Sequence, residues 1–248
     1  MKSPYRYNSI VRLLKILYRK HKPVPVSPYT LGEVEDICAI TLVPPEVLKG
    51  FFTEKTKLLQ KLRGNDIGDY LEFGVFNASS LSSMYIAAKK LGVKNRFFGF
   101  DAFEGLPIES ENEDGGVWKR GFYTCSFEQM KNCLHALDIN HTDITWIKGW
   151  YNQTLTTELS AEYKFNPGIV FIDCDTYSSS KSVLDFLVPL IKKPTIICLD
   201  DWKLYDLDVK GMGEYKSFNE FVEQNTNFSF KELKSYNRKS KTFLVTPK

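Results

Sequence analysis

Five short apolar segments of this sequence each end in an acidic residue, a glycine or both. The endings are Glu72-Phe73-Gly74, Asp101, Gly149-Trp150, Asp173-Cys174-Asp175 and Asp200-Asp201-Trp202. Any single ending has a plain structural explanation, because Asp often caps helices and Gly often turns the chain. Five endings of one kind indicate a ligand site, since open α/β sheets bind ligands at the carboxyl ends of their strands.

The segment from Glu72 to Ser80 predicts a tight turn between the first strand and its helix. Gly74 lets a ligand approach the backbone, and Ser79 or Ser80 can cap the helix that follows. The turn lacks the GxGxxG pattern of dinucleotide enzymes, so a ligand without phosphates fits better. Asp101 ends the second strand, where an acid can bind ribose hydroxyls. The combination predicts S-adenosylmethionine as the cofactor.

Asp173, Asp200 and Asp201 end the fourth and fifth strands and would converge if those strands are neighbours. Carboxylates held close repel one another, so a hard divalent cation is their natural occupant. Ligands that are all oxygen favour Mg²⁺, Mn²⁺ or Ca²⁺ over zinc. A solvated turn at Asp200-Asp201 is the alternative. Three roles remain open for Asp175: a fourth metal ligand, an orienting group or a helix cap.

The elements that must position these residues alternate between strand and helix. Apolar runs lie at 70–73, 97–100, 144–147, 169–172 and 195–199, and helical patterns at 44–62, 79–92, 126–138, 154–163 and 178–191. Runs that are apolar on both faces predict a parallel sheet covered by helices on each side. Residues 228–233 and 241–246 flank a turn and predict an antiparallel hairpin. We therefore expect a seven-stranded, mostly parallel sheet.

The composition is that of a globular protein. The 248 residues are 43% hydrophobic and 25% charged, and their 18 Phe, 13 Tyr and 4 Trp exclude disorder. No apolar run approaches the about 20 residues that span a bilayer. The net charge of +3 is weak evidence of a polyanionic partner, and we expect no nucleic acid. Cys174 and Cys198 lie in apolar runs, which predicts reduced, buried thiols in a cytoplasmic protein.

The sequence divides into an N-terminal extension, residues 1–65, and a main domain, residues 66–248. The extension is predicted to contain a basic amphipathic helix, a Pro-rich link and a capping helix. Residues 2–22 carry seven basic side chains and no acid. Attachment to a membrane surface is one interpretation of that helix. Packing on the domain or on a second subunit, as in a homodimer, is the favoured one.

These motifs together resemble the macrocin O-methyltransferase family. The resemblance runs from about residue 68 to 223 and rests on segments 71–76, 99–107, 149–155, 172–180 and 200–202. It implies a Rossmann-like class I methyltransferase fold and methylation of sugar hydroxyls that depends on S-adenosylmethionine and Mg²⁺. It assigns the metal to Asp173, Asp200 and Asp201. The predicted cofactor contacts are Glu72, Phe73, Gly74, Val75, Ser79, Ser80, Asp101, Ala102, Gly149, Trp150 and Asp173. The sequence departs from the family pattern at Asn77-Ala78, Asn152-Gln153 and Thr176.

A hydroxyl acceptor must lose its proton, which requires a base. His21, His135 and His141 are poorly placed for this, so we predict that Asp173 takes the proton. Residues 103–125 and 203–214 are expected to wall the acceptor site, with a solvated acidic run at 109–114 and with Trp118, Tyr123 and Tyr205 available to stack on a sugar. The alternatives are a metal-dependent catechol or phenol O-methyltransferase, a nicotinamide-dependent dehydrogenase, and a Rossmann-like binding protein without activity.

Overall fold

A sheet of seven strands runs through the part of the chain that the computed structural model describes, residues 37–40 and 42–248. The strands are β1 (Asp69–Phe73), β2 (Phe97–Asp101), β3 (Thr145–Lys148), β4 (Pro167–Ile172), β5 (Thr195–Leu199), β6 (Phe228–Leu233) and β7 (Lys241–Pro247). Their order in the sheet is β3-β2-β1-β4-β5-β7-β6. The first five strands are parallel, and β7 runs antiparallel to both β5 and β6. The predicted fold class is confirmed.

The sheet is covered by helices on both faces, as its apolar strands require. The helices are α1 (Pro45–Arg63), α2 (Ser79–Leu91), α3 (Phe127–His135), α4 (Tyr151–Thr154), α5 (Thr157–Tyr163), α6 (Tyr177–Leu187), α7 (Leu207–Lys210) and α8 (Gly213–Gln224). Helices α1, α2 and α3 share one hydrophobic core with the sheet, and α5, α6 and α8 share the other. Alternate strand residues face the two cores: Tyr70 belongs to the first and Leu71 to the second.

The strand order places the predicted ligand edge at a change of direction. β1 lies between β2 and β4, so the chain moves outward to one side as far as β3 and then returns to the other side. Doubly wound sheets bind ligands at such a switch point, outside the carboxyl ends of the strands. The adjacency of β4 and β5, on which the predicted metal site depends, is confirmed.

The observed helices differ from the predicted ones in several places. The helix predicted at 154–163 begins only at Thr157, because Thr156 caps α5 with its side chain and accepts the Leu159 N–H at 3.1 Å, and Thr154 ends the separate helix α4. Helix α3 ends at His135, where the chain turns through Asp138 at φ 57°. Helix α8 was not predicted at all, although its buried Phe218 and Phe221 lie at helical spacing.

The N-terminal extension is only partly described. The predicted basic helix and Pro-rich link lie outside the described residues, whereas the predicted capping helix is α1. Its Phe52 packs on Tyr70 and Phe171 of the sheet. No helix in residues 37–40 and 42–248 is long and apolar enough to cross a membrane.

The cysteines fall into two groups. Cys125, Cys174 and Cys198 are free and buried, as predicted for the last two. Cys38 and Cys133 form a disulfide that ties the segment before α1 to α3, and the sequence analysis did not predict this bond. Disulfides are rare in the cytosol, so the cytoplasmic location stays a prediction.

Candidate active site

The turn between β1 and α2 brings its backbone directly against the end of β4. Gly74 has φ 84°, and a Cβ added there would lie 1.7 Å from the Asp173 carbonyl oxygen. Glycine is therefore required for two reasons, its left-handed backbone and the close approach of the neighbouring strand. This contact fixes the turn between β1 and α2 relative to Asp173, the predicted base. We call this turn the cofactor turn, because its residues are predicted to bind S-adenosylmethionine.

Asp101 holds this turn through its carboxylate. One oxygen accepts the N–H groups of Val75 at 2.7 Å and Phe76 at 3.1 Å, and the other accepts the Phe103 N–H at 2.6 Å. Burial raises the pKa of Asp101, although these three hydrogen bonds act in the opposite direction. The side chain predicted to bind ribose therefore also shapes the backbone on both sides of it.

Helix α2 begins differently from the prediction, since neither Ser79 nor Ser80 caps it. The residue before the helix, Ala78, has a left-handed backbone with no side-chain cap. Asn77 Oδ1 accepts the Ser79 N–H at 3.3 Å. Ser80 is used elsewhere, because its hydroxyl donates to Glu72 at 2.7 Å.

The departure at Asn77 also has a structural use. Its side-chain amide donates to the carbonyl oxygens of Ile37 and Ile40, both at 2.9 Å. The cofactor turn is thereby tied to the same segment that the disulfide of Cys38 holds. A pair of small residues would leave these two carbonyl groups without that donor.

Two predicted cofactor residues, Glu72 and Phe73, are fully buried and do not line the cavity at the sheet edge. Glu72 accepts hydrogen bonds from the hydroxyls of Tyr70 and Ser80, and burial raises its pKa to about 8. Phe73 stacks on Phe100 with ring centroids 4.3 Å apart. Both side chains lie beneath the turn.

The remaining predicted residues share the wall of one cavity of about 1530 Å³. They are Gly74, Val75, Ser79, Ser80, Asp101, Ala102, Gly149, Trp150, Asp173, Asp200 and Asp201. The volume exceeds the about 300–1,000 Å³ of a typical single-ligand pocket. The cavity therefore has room for a cofactor and a second molecule.

The three carboxylates of the predicted metal site converge as expected. Asp173, Asp200 and Asp201 each offer one oxygen, and these atoms lie within 4.8 Å of one another. Backbone pairing of the neighbouring strands places Asp200 beside the end of β4, because its N–H donates to the Ile172 carbonyl oxygen at 3.0 Å. Burial, followed by the charges of Asp200 and Asp201, raises the pKa of Asp173 well above its ordinary value.

Further side chains hold or surround this cluster. Tyr236 donates its hydroxyl to Asp200, and the Glu214 carboxylate accepts the Asp201 N–H at 2.9 Å. Asp175 adds a fourth carboxylate, whose pKa is raised first by burial and then by the charges of Asp201 and Asp200. Among the described residues, Asp201 Oδ2 is buried without a hydrogen-bond partner. The cluster therefore holds negative charge that the protein's own donors do not fully compensate.

Tyr236 and Glu214 were missed by the sequence analysis. A signal for Tyr236 exists, because β7 runs antiparallel to β5 and pairs Lys241 with Leu199. The residues just before β7 must then lie beside the carboxyl end of β5, and Asn237 and Lys239 indeed line the cavity. Glu214 lies in the unpredicted helix α8 and could not be placed without it.

The segment 103–125 covers the cavity, and its acidic run is not simply solvated as expected. Asp114 is buried with 8% exposure, and Glu113 accepts the Ser178 N–H at 2.9 Å. Trp118 is fully buried and does not line the cavity, so the prediction that it stacks on a sugar is wrong. Tyr123 and Tyr205 do line the cavity.

The histidines lie away from this site, in agreement with the sequence analysis. His135 ends α3, and His141 belongs to a 3₁₀ turn before β3. Neither lines the cavity, and His21 lies outside the described residues. Among the described residues, the polar side chains that line the cavity include carboxylates but no imidazole.

Comparisons with known proteins support the predicted family and fold. The sequence profile of the macrocin O-methyltransferase (TylF) family matches residues 49–228, well over half of the chain. A search of curated protein sequences gives no match.

Several solved structures share the fold at low sequence identity. The O-methyltransferase NovP superposes with a TM-score of 0.65 at 17% identity, covering 82% of this chain and 79% of NovP. The calicheamicin methyltransferase CalS11 has a TM-score of 0.58 at 18% identity, with coverages of 98% and 94%. TomG of Streptomyces achromogenes, solved with S-adenosylmethionine, has a TM-score of 0.54 at 15% identity, with coverages of 100% and 99%. The chain thus belongs to the macrocin O-methyltransferase family and is a methyltransferase that uses S-adenosylmethionine.

Proposed function

We propose that the protein methylates a hydroxyl of a sugar or a glycosylated natural product, and that it requires a divalent metal ion. One observation carries the proposal: the carboxylates of Asp173, Asp200 and Asp201 lie within 4.8 Å of one another, in the same cavity as the cofactor turn. This arrangement gives a cation site beside the place where a methyl donor would lie.

The cofactor would occupy the part of the cavity at the ends of β1, β2 and β3. Gly74 and Val75 line the cavity there, and Asp101 Oδ1, which accepts one N–H group, has a lone pair left for a ribose hydroxyl. Ala102, Gly149 and Trp150 would complete the wall around the nucleoside. Glu72 would act from below, by supporting the turn through Ser80.

The residues present fit a metal ion. All three ligands are carboxylates, which suits Mg²⁺ or Mn²⁺, and the buried Asp201 Oδ2 has no donor of its own among the described residues. A bound ion would lower the pKa of a hydroxyl on the acceptor and orient it. The mutual repulsion of Asp173, Asp200 and Asp201 is the free energy that a cation would relieve.

Asp173 is proposed as the base. The acceptor oxygen attacks the methyl carbon of the sulfonium, the carbon–sulfur bond breaks, and the hydroxyl proton passes to the Asp173 carboxylate. The products are the methyl ether and S-adenosylhomocysteine. Asp173 is well placed because its backbone touches the cofactor turn at Gly74. Its side chain belongs to the group of Asp173, Asp200 and Asp201, which we call the acid cluster. Fixing both reactants at about 3 Å removes much of the entropic barrier.

The sugar class of the acceptor rests on likeness. The family is that of macrocin O-methyltransferase, and CalS11 is described as a TDP-rhamnose 3'-O-methyltransferase. Tyr123 and Tyr205 line this cavity and offer aromatic faces to a sugar ring. The about 1530 Å³ of the cavity also suits a glycoside beside the cofactor.

Methyl transfer from labelled S-adenosylmethionine tests the proposal directly. We expect product with glycosides that carry neighbouring hydroxyls, loss of product in EDTA, and recovery with Mg²⁺ or Mn²⁺. Catechol and simple phenols serve as parallel acceptors. Faster turnover of catechol than of every glycoside would favour the aromatic alternative, and turnover that persists after complete chelation would remove the metal from the proposal.

A further inference from the structure

A single carboxylate, that of Asp114, joins the segment over the cavity to the two helices behind the acid cluster. Its Oδ1 accepts the Gly213 N–H at 2.8 Å, and its Oδ2 accepts the Tyr177 N–H at 2.9 Å and the Trp118 indole N–H at 3.1 Å. We call residues 103–125 the lid. Both oxygens of Asp114 therefore accept hydrogen bonds, from Trp118 within the lid and from Tyr177 and Gly213 outside it.

The two backbone donors are the first residues of α6, the helix after β4, and of α8, the second helix after β5. Tyr177 is the first residue of α6, which follows β4 and Asp173. Gly213 is the first residue of α8, whose next residue, Glu214, accepts the Asp201 N–H at 2.9 Å. A carboxylate at two helix N-termini is favoured because unpaired N–H groups and helix dipoles meet there.

The third donor links Asp114 to the cavity wall. The buried ring of Trp118 contacts that of Tyr205, with centroids 5.4 Å apart, and Tyr205 lines the cavity. Farther along the lid, Arg120 to Thr124 line the cavity as well. The position of this wall relative to the acid cluster therefore depends on how Asp114 is held.

We infer that Asp114 is a positioning residue, which fixes the lid against α6 and α8 and so sets the acceptor wall over Asp173 and Asp201. This inference rests on the proposed function, since it takes the acceptor to bind between the lid and the acid cluster. Asp114 itself does not line the cavity. Its effect on the reaction therefore passes through the lid and through the first residues of α6 and α8, to which it is bonded.

Asp114→Asn tests the inference sharply, because the substitution changes hydrogen bonding with almost no change in size. An amide accepts at one oxygen only, so its NH₂ group would face either the Gly213 N–H or the donors of Tyr177 and Trp118. Glu111→Gln is the matched control. It removes a charge from the same lid, but among the described residues the exposed Glu111 side chain accepts only the Arg120 N–H, at 3.2 Å, which Gln can also accept.

Three measurements are made on both variants and on the unchanged protein. They are the acceptor kcat and KM, the affinity for S-adenosylmethionine by calorimetry, and the rate of tryptic cleavage after the exposed Lys119 and Arg120. For Asp114→Asn we expect faster cleavage and a fall in acceptor kcat/KM of about ten- to a hundredfold. Cofactor affinity should change by less than about twofold, as for Glu111→Gln, because the cofactor side is separate.

Two results would overturn the inference. One is an Asp114→Asn protein with the cleavage rate and kcat/KM of the control. The other is a parallel loss of cofactor affinity, or failure to fold, because either would assign Asp114 to general stability. The cleavage measurement needs no acceptor. If no glycoside is methylated by the unchanged protein, the proposed function fails while cleavage still reports whether Asp114 holds the lid.

Discussion

The cavity has two walls that both carry carboxylates, but the surroundings of those carboxylates differ. On the wall from β1 to β3, Asp101 accepts three backbone N–H groups and is satisfied by the protein itself. On the wall from β4 and β5, Asp173, Asp200 and Asp201 face one another, and Asp201 Oδ2 is buried without a donor among the described residues. Both oxygens of Asp101 thus have donors from the protein, whereas the second wall leaves one buried carboxylate oxygen that a bound cation would stabilise.

This difference suggests a division of labour. A wall organised by backbone hydrogen bonds can bind the cofactor without rearrangement, so its ordering cost is met during folding. Carboxylates that repel one another raise the free energy of the second wall, and a bound cation would lower it. Metal and cofactor binding should therefore be separable by mutation, and the following predictions are ordered from the largest expected effect to the smallest.

The largest effect is expected on the second wall. Asp200→Ala or Asp201→Ala should reduce turnover by at least about a hundredfold, because a metal ligand that stabilises developing charge contributes several kcal/mol. Affinity for S-adenosylmethionine should stay nearly unchanged, since the cofactor uses the other wall. Steady-state kinetics and calorimetry check both statements. Asp185→Ala, which removes an exposed partner of Lys181 that does not line the cavity, is the control.

A large loss of cofactor affinity in either Asp variant would show that the two walls act as one unit. Mg²⁺ provides a second check, because it should raise the melting temperature of the unchanged protein and not that of the variants. At a hundred times the dissociation constant the gain is about 2.7 kcal/mol.

Part of each wall was predictable from the sequence. Strand ends can be predicted from apolar runs, so Asp101, Asp173, Asp200 and Asp201 were all placed at the correct edge. The contacts that complete the site come from distant segments: Glu214 from an unpredicted helix, Tyr236 from the hairpin and Asp114 from the lid. Their partners are backbone N–H groups or carboxylates more than ten residues away in sequence, and no local pattern specifies those.

Burial also changed the meaning of residues that were correctly located. Glu72 and Trp118 were assigned to ligand contact because of their type and position, yet both are fully buried. A strand-end acid and a lid aromatic have the same sequence signature whether they face the cavity or the core. The side chain's direction depends on packing that the local sequence does not encode.

Glu72 gives the next prediction, since it lies directly beneath the first wall. Its folded-state pKa of about 8 is raised from 4.5 by burial. Below pH 4.5 the carboxyl is protonated in both states, and the stability it contributes is complete. As pH rises toward 8 the unfolded chain loses its proton first, so stability falls by about 1.4 kcal/mol per pH unit and levels off above the folded pKa.

Between pH 4 and pH 7, the free energy of unfolding of Glu72→Gln should therefore rise by about 3 kcal/mol relative to that of the unchanged protein. The amide can still bond to Tyr70 and Ser80, because both hydroxyls can donate or accept. Chemical denaturation of the two proteins between pH 4 and 8 measures the difference, in which other titrating groups cancel. Parallel curves for the two proteins would contradict the raised pKa.

Asp101→Ala should weaken S-adenosylmethionine binding by about ten- to a hundredfold, because a charge-assisted hydrogen bond contributes about 1.5–3 kcal/mol. Asp101→Asn separates two causes. The amide can still bond to ribose, but it accepts at one oxygen only, so either the Val75 and Phe76 N–H groups or the Phe103 N–H loses its acceptor. A comparable loss in both variants would therefore assign the effect to the shape of the backbone that Asp101 holds. Calorimetry on the metal-free protein measures both. Unchanged affinity in Asp101→Ala would remove this residue from the cofactor site.

The smallest predicted effect lies at the rear of the first wall, where Asn77 donates to the carbonyl oxygens of Ile37 and Ile40. Asn77→Ala removes these two bonds, and we expect about 1 kcal/mol less stability and only a few-fold weaker cofactor binding. The loss stays small while the disulfide of Cys38 and Cys133 holds the same segment in place.

Reduction of that bond should therefore enlarge the effect of Asn77→Ala on cofactor affinity, because both attachments of the segment are then lost. Calorimetry with and without dithiothreitol measures the coupling, and an effect of Asn77→Ala that is equal in both conditions would mean that the segment does not support the cofactor turn.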